Sequence, residues 1–279
     1  MSVVFHRNDI PAIELTGTAD APVVVALGGI SSHAHVVSHP GATAPGWWES
    51  LAGPGRAIDT TRCRLLGLGY PVYSPGPTTT QDQARGLARA LGACGISSVH
   101  AIVGASYGGM VALAFAELFP DRVERIVAIS APHQSHPMAT AVRLIQRKII
   151  RLSVAAERPT DGVALARALG ITSYRTAQEF AERFAAPATI DDAAPHFPVE
   201  EYLDHCGARF AAGFSAQRYL ALSESLDLHR VEPERITVPA TLVAVTSDTL
   251  VPPNQIAELA SRLGGAVKAH LIESRFGHD

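Results

Sequence analysis

Ser106, Asp248 and His278 are three side chains whose types and order suit acyl-transfer chemistry. Ser106 lies in Gly104-Ala105-Ser106-Tyr107-Gly108, a G-x-S-x-G turn. An apolar run, Val99 to Val103, precedes it and a helix-like run, Met110 to Phe119, follows. That strand–turn–helix context lifts a serine hydroxyl clear of a sheet edge, provided its neighbours are as small as Gly104 and Gly108. A serine hydroxyl is a poor nucleophile at neutral pH, so it needs a base within hydrogen-bond reach, oriented by a third group. Asp248 follows the apolar run Ala240 to Val245, and His278 follows the run Val267 to Ile272. Both therefore sit just beyond strand ends, in the order nucleophile, acid, base. Singly, Asp248 reads as a turn residue or helix cap and His278 as a surface residue. Asp204 and Asp227 compete as acids but fall in a helical stretch, and His270 competes as base but falls inside a strand. Order and placement together favour Ser106–Asp248–His278.

Such a site needs two backbone N–H donors for the developing oxyanion. Tyr107, directly after the nucleophile, is expected to give one. Gly29 or Ile30, in the turn after the first core strand, is expected to give the other, because glycine permits close backbone approach.

These groups must be held by a sheet. Short apolar runs suited to strands covered on both faces occur at 22–27, 63–68, 99–103, 125–130, 240–245 and 267–272. Helical patterns alternate with them. Gln81 to Gly92 has Thr79 or Thr80 as N-cap and Gly92 as stop; others are Met110 to Phe119 and Pro253 to Leu263. The alternation implies a doubly wound, mostly parallel α/β sheet. It breaks between Gln134 and Pro239, where the patterns at 138–156, 162–169, 176–184, 199–212 and 216–225 are all helical. The expected organisation is a core of residues 1–133 and 240–279, with a helical cap, 134–239, inserted before the acid strand.

Composition narrows the function classes. The 279 residues are 47% hydrophobic and carry a net charge of −3. A nucleic-acid partner is not expected at that charge, and no apolar run has the length of a membrane span. Three widely spaced cysteines suit a reducing cytoplasm. The 12 histidines include His33, His35 and His39, yet no metal-binding motif spacing occurs, so no metal site is expected. Arg143, Arg147 and Arg151 share a helix face, either as a solvated stripe or as a contact for coenzyme A phosphates.

The chain resembles the homoserine O-acyltransferases of the α/β-hydrolase fold. The resemblance is carried by Gly46-Trp47-Trp48-Glu49-Ser50-Leu51-Ala52-Gly53-Pro54-Gly55-Arg56, by Gly104 to Met110, by Ser247-Asp248-Thr249-Leu250-Val251-Pro252 and by Phe276-Gly277-His278-Asp279. It implies transfer of an acyl group from acyl-CoA to the hydroxyl of L-homoserine, in methionine biosynthesis, with no permanently bound cofactor. The segment Ala166 to Arg175 resembles the family's Arg-to-Tyr block. By that match Arg167 would bind the amino-acid carboxylate, while Tyr174 and Asp279 would help hold the acceptor's hydroxyl and amine. Gly28-Gly29-Ile30-Ser31-Ser32-His33 differs from the commoner His-Ala-Leu-Thr-Gly. That departure suggests the succinyl-CoA branch, with acetyl-CoA as the alternative donor and a carboxylester hydrolase as the rival activity. A homodimer through the cap is also expected.

Overall fold

The computed structural model describes residues 3–7, 10–39, 41–42, 44–191 and 194–278. In chain order the elements are β1 (Val3–Arg7), β2 (Ile10–Gly17), β3 (Val23–Leu27), β4 (Arg64–Leu68), α1 (Thr80–Ala93), β5 (Ala101–Ala105), α2 (Tyr107–Leu118), β6 (Ile126–Ile129), α3 (Pro137–Ala155), α4 (Pro159–Tyr174), α5 (Ala177–Arg183), β7 (Thr189–Asp191), β8 (Ala194–His196), α6 (Pro198–Ala211), α7 (Ala216–Leu228), β9 (Ala240–Val245), α8 (Pro253–Arg262) and β10 (Val267–Ile272).

Eight strands form one sheet in the order β1-β2-β4-β3-β5-β6-β9-β10. From β4 through β3, β5 and β6 to β9 every pairing is parallel. The apolar runs of β3, β4 and β5 are buried on both faces, with Val25, Leu66 and Ile102 fully enclosed, as parallel strands covered by helices require. The sheet is thus the expected mostly parallel α/β type, and the six strand runs read from the sequence all lie in it.

Two features depart from the sequence pattern. β1 and β2 add an antiparallel hairpin, joined antiparallel to β4 through pairs such as Ile13↔Leu68. Residues before Pro22 show no continuous apolar run, because Ile13 and Leu15 alternate with Glu14 and Thr16. The other departure is the stop of α1. Thr79 caps its start in a capping box with Asp82, but the helix passes Gly92 and ends at Cys94. Gly95 takes the left-handed conformation (φ 72°). The N–H groups of Gly95 and Ile96 bond the carbonyls of Gly92 and Leu91, the Schellman pattern that closes a helix at a glycine past its end.

The chain divides into two compact units. The first takes the described residues up to Gln134 together with 228–243 and 254–270; the second takes 135–227, 244–253 and 271–279. The return to the first unit starts just after Asp227, where Arg230 bridges Gln134 and His229 is buried. In the second unit α4 packs against α3 and α6. No helix among the described residues is long and apolar enough to cross a membrane.

Candidate active site

The residues singled out by the sequence fall in both units. In the first, β5 runs into Ser106, whose backbone is strained at φ 53°, ψ −118°. A non-glycine residue adopts this region only where its surroundings over-determine it. Here the Ser106 N–H is tied to the Ile129 carbonyl at 2.8 Å and the Ser106 carbonyl accepts from Met110. A Cβ on Gly104 would stand 2.3 Å from the Gly108 carbonyl oxygen, and one on Gly108 would stand 2.2 Å from that of Leu27. Strand, turn and helix therefore meet too closely for any side chain at those two positions.

The same closeness brings together the segments expected to carry the oxyanion donors. Leu27 is the register partner of Gly104 in the parallel β3–β5 pair, so Gly29 and Ile30 leave the sheet at the same end as Tyr107. Tyr107 opens α2, and its N–H lies at the positive end of the helix dipole, where negative charge is stabilised. Tyr70 links the two segments, a role no motif signals. Its hydroxyl donates to the Gly28 carbonyl at 2.9 Å, and its ring meets the Tyr107 ring edge-on, 4.8 Å between centroids. Both rings are almost wholly buried.

Asp248 and His278, the expected acid and base, belong to the second unit. Asp248 is buried (3% exposed) and sits in the turn after β9. Its Oδ1 accepts the N–H groups of Leu250 and Val251, each at 2.9 Å. Its Oδ2 lies 2.7 Å from Nδ1 of His278. Nδ1 therefore carries the proton given to the carboxylate, which makes Nε2 the basic nitrogen. The loop bearing His278 is pinned by three contacts: its N–H donates to the Tyr174 carbonyl at 2.8 Å, the Gly277 N–H donates to the Ser247 hydroxyl, and that hydroxyl donates to the Ser274 carbonyl. Gly277 is left-handed (φ 76°), and a Cβ there would lie 2.3 Å from the Tyr174 oxygen.

Two cap residues adjoin this pair. The Tyr174 ring lies 6.2 Å from the His278 ring. Arg167 places its guanidinium between the rings of Tyr174 and Phe210, at 5.1 and 4.9 Å. Among the described residues Arg167 has no carboxylate partner. A half-buried guanidinium held over two aromatic rings keeps its charge in place for a planar anion. Asp279 lies outside the described residues.

The other sequence candidates have structural occupations. Asp227 joins Arg143 and Arg147 at 2.7 and 2.6 Å, and Arg151 pairs with Glu224. The arginine stripe of α3 is thus committed to α7, as an internal helix–helix tie. Arg143 and Arg147 are largely buried in this tie, whereas Arg151 stays exposed beside Glu224. His270 lies on β10 as its strand pattern implied, and Asp227 is removed as a catalytic acid by its two arginines.

A mostly parallel sheet with a strained serine elbow at the end of a central strand, and an Asp–His pair following two later strands, defines an α/β-hydrolase-type protein. The alpha/beta hydrolase fold family matches residues 47–279. Homoserine O-succinyltransferase of Xanthomonas campestris pv. campestris is 41% identical over 95% of this chain and 73% of its own length. Serine O-succinyltransferase of Litchfieldella anticariensis is 36% identical over 99% and 90%. The crystal structure of homoserine O-acetyltransferase from Bacillus anthracis, 18% identical, superposes with a TM-score of 0.85 over 100% of this chain and 92% of that one, a likeness of fold. The chain belongs to the homoserine O-acyltransferase family of the α/β-hydrolase fold.

Proposed function

We propose that this protein moves a succinyl group from succinyl-CoA to the hydroxyl of L-homoserine through an acyl-serine intermediate. The observation that carries the reading is the row Arg167–Tyr174–His278: a cation for a carboxylate, one aromatic ring away from a base oriented by Asp248. Such a row suits a short amino-acid acceptor better than water.

In the first half-reaction His278 Nε2 takes the Ser106 proton as Oγ attacks the thioester carbonyl. The N–H groups of Tyr107 and of Gly29 or Ile30 receive the oxyanion. The C–S bond breaks, and the thiolate leaves with the proton held by His278. In the second half-reaction Arg167 binds the acceptor carboxylate, and Tyr174 and Asp279 help hold its polar groups. His278 then removes the hydroxyl proton, the oxygen attacks the acyl-enzyme, and Ser106 is reprotonated on leaving. Transfer ahead of hydrolysis requires that water be kept from the ester.

The succinyl donor is supported by relatives: proteins named as succinyltransferases match at 41%, 36% and 34% identity, against 33% for one named as a homoserine O-acetyltransferase, from Geobacter metallireducens. Serine as acceptor is the second reading, because two of those succinyltransferases are named for serine. The test is a matrix of succinyl-CoA and acetyl-CoA against homoserine, serine and water. Succinyl-CoA with homoserine should give the highest kcat/KM. A lead for serine moves the acceptor, a lead for acetyl-CoA moves the donor, and fast hydrolysis with no transfer discards the acyltransferase reading.

The setting of this activity is a homodimer in the cytoplasm. The cap offers exposed apolar side chains for the dimer contact, among them Met138 and Leu152 on α3 and Leu165 on α4. The cysteines Cys63, Cys94 and Cys206 are free thiols, which suits a reducing compartment.

A further inference from the structure

We propose that Glu14, His35 and His39 form a site for one divalent transition-metal ion of the zinc class. Glu14 comes from β2, and the two histidines come from the segment after β3. One ligand atom from each, a carboxylate oxygen and two ring nitrogens, lies within 4.8 Å of the others. Glu14 Oε1 is 2.9 Å from His35 Nδ1 and 3.1 Å from His39 Nε2. Two ligands bound tetrahedrally to zinc at their usual bond lengths are about 3.3 Å apart, so the cluster needs little movement to close around an ion.

Protonation strengthens the argument. His35 Nε2 lies 2.9 Å from the Ala44 carbonyl oxygen, which can only accept. Its Nδ1 faces both oxygens of the Glu14 carboxylate, at 2.9 and 3.2 Å. Such facing lone pairs are bridged either by a proton or by a metal ion, and His39 converges on the same oxygen. A metal ion satisfies all three groups together. The Nε2–H to carbonyl bond is then the outer contact that ordinarily fixes a ligating imidazole. The three side chains are 10–22% exposed, which leaves an approach for water as fourth ligand. Mixed imidazole and carboxylate donors select zinc-class ions over magnesium or calcium.

The ion would fasten β2 to the chain that leads to Trp47. The Trp47 indole N–H donates to the His33 carbonyl at 2.9 Å, and its ring fills the space beside Gly28. The site thus braces the turn that carries Gly29 and Ile30. His33 itself is exposed, and its Nδ1 accepts from the His35 N–H, so it is not among the ligands. Motif spacing could not show this site, because the carboxylate comes from a strand 21 residues before His35.

The test is titration of chelator-treated full-length protein with zinc chloride by calorimetry, and with cobalt(II) by visible absorption. One zinc per chain should bind, cobalt should give the intense bands of a low-coordinate site, and zinc should raise the Tm. Glu14→Gln and His39→Ala should each weaken zinc by at least the ~10–100-fold that loss of even an outer contact costs. His33→Ala should bind as the parent does. Absence of stoichiometric binding, or equal affinity in His39→Ala and the parent, would overturn the site. His39 sits on a partly exposed loop, so His39→Ala decides the question if Glu14→Gln does not fold. The readout is metal binding, so neither result bears on the acyl-transfer reading.

Discussion

Asp248 determines which nitrogen of His278 is basic. Its carboxylate accepts two backbone N–H groups with one oxygen and holds Nδ1 with the other. Asp248→Asn keeps the shape but offers an amide N–H to Nδ1, which favours the wrong tautomer. Turnover should fall about 10⁴-fold with an unchanged circular dichroism spectrum; a fall below tenfold would remove His278 from the mechanism. Ser106→Ala should abolish thioester cleavage and fluorophosphonate labelling together, a loss of roughly 10⁶ in turnover. Arg167→Ala should act on one half-reaction only. Its charge-assisted bond to a carboxylate is worth about 1.5–3 kcal/mol, so homoserine's KM should rise about 10–150-fold while the first burst of coenzyme A release persists. A lost burst with unchanged acceptor affinity would contradict that role.

At the scale of elements, the cap helices are tied by charge as well as by apolar packing. Burial opposes ionisation of Asp227, but Arg143 beside it overrides that, with help from Thr140 and Arg147, and holds the carboxyl below its ordinary range. Arg147 is almost fully buried, so removing Asp227 leaves its charge uncompensated between α3 and α7. Asp227→Ala should cost about 3–5 kcal/mol, read as a lower urea midpoint. An unchanged midpoint would mean the pair contributes nothing net. Among these helices, α3 and α6 were legible in the sequence through their amphipathic periodicity. The stripe's destination was not, since four-residue spacing reports which residues share a face and not what the face meets. The β1–β2 hairpin was missed for a related reason. β2 alternates Ile13 and Leu15 with Glu14 and Thr16 over only four residues and buries all four, so no continuous apolar run marks it.

For the whole molecule, one buried histidine gives stability a pH dependence. His229 is 1% exposed. Its Nδ1 is 2.8 Å from the Thr80 hydroxyl and its Nε2 is 3.0 Å from the Pro132 carbonyl, so the neutral ring is fully bonded. Burial lowers its pKa to about 4. Between that value and the unfolded value the unfolded chain binds the extra proton, so stability rises with pH across the window. The contribution is complete above about pH 6.5 and is lost as pH falls towards 4, amounting to about 3 kcal/mol. Urea midpoints measured at pH 7, 5.5 and 4.5 should fall in that order, and His229→Gln should flatten the trend. A parent midpoint that is flat over this range would contradict it.

The sequence by itself determined the alternating α/β architecture and the placement of Ser106, Asp248 and His278 beyond the ends of β5, β9 and β10. Burial on two faces, amphipathic helices and a crowded glycine turn each leave a local pattern. It also marked Gly104 and Gly108 as positions where a side chain would clash, and the backbone contacts there give the reason. Only the tertiary structure decided which nitrogen of His278 faces Asp248, that Tyr70 joins the segments of Gly28 and Tyr107, and that Arg167 lies over two rings while Arg143 and Arg147 are paired. The same holds for Glu14 meeting His35 and His39. Each of these depends on residues distant in sequence approaching within a few ångströms, and such approaches are set by packing between elements, for which one chain's local periodicity carries no signal.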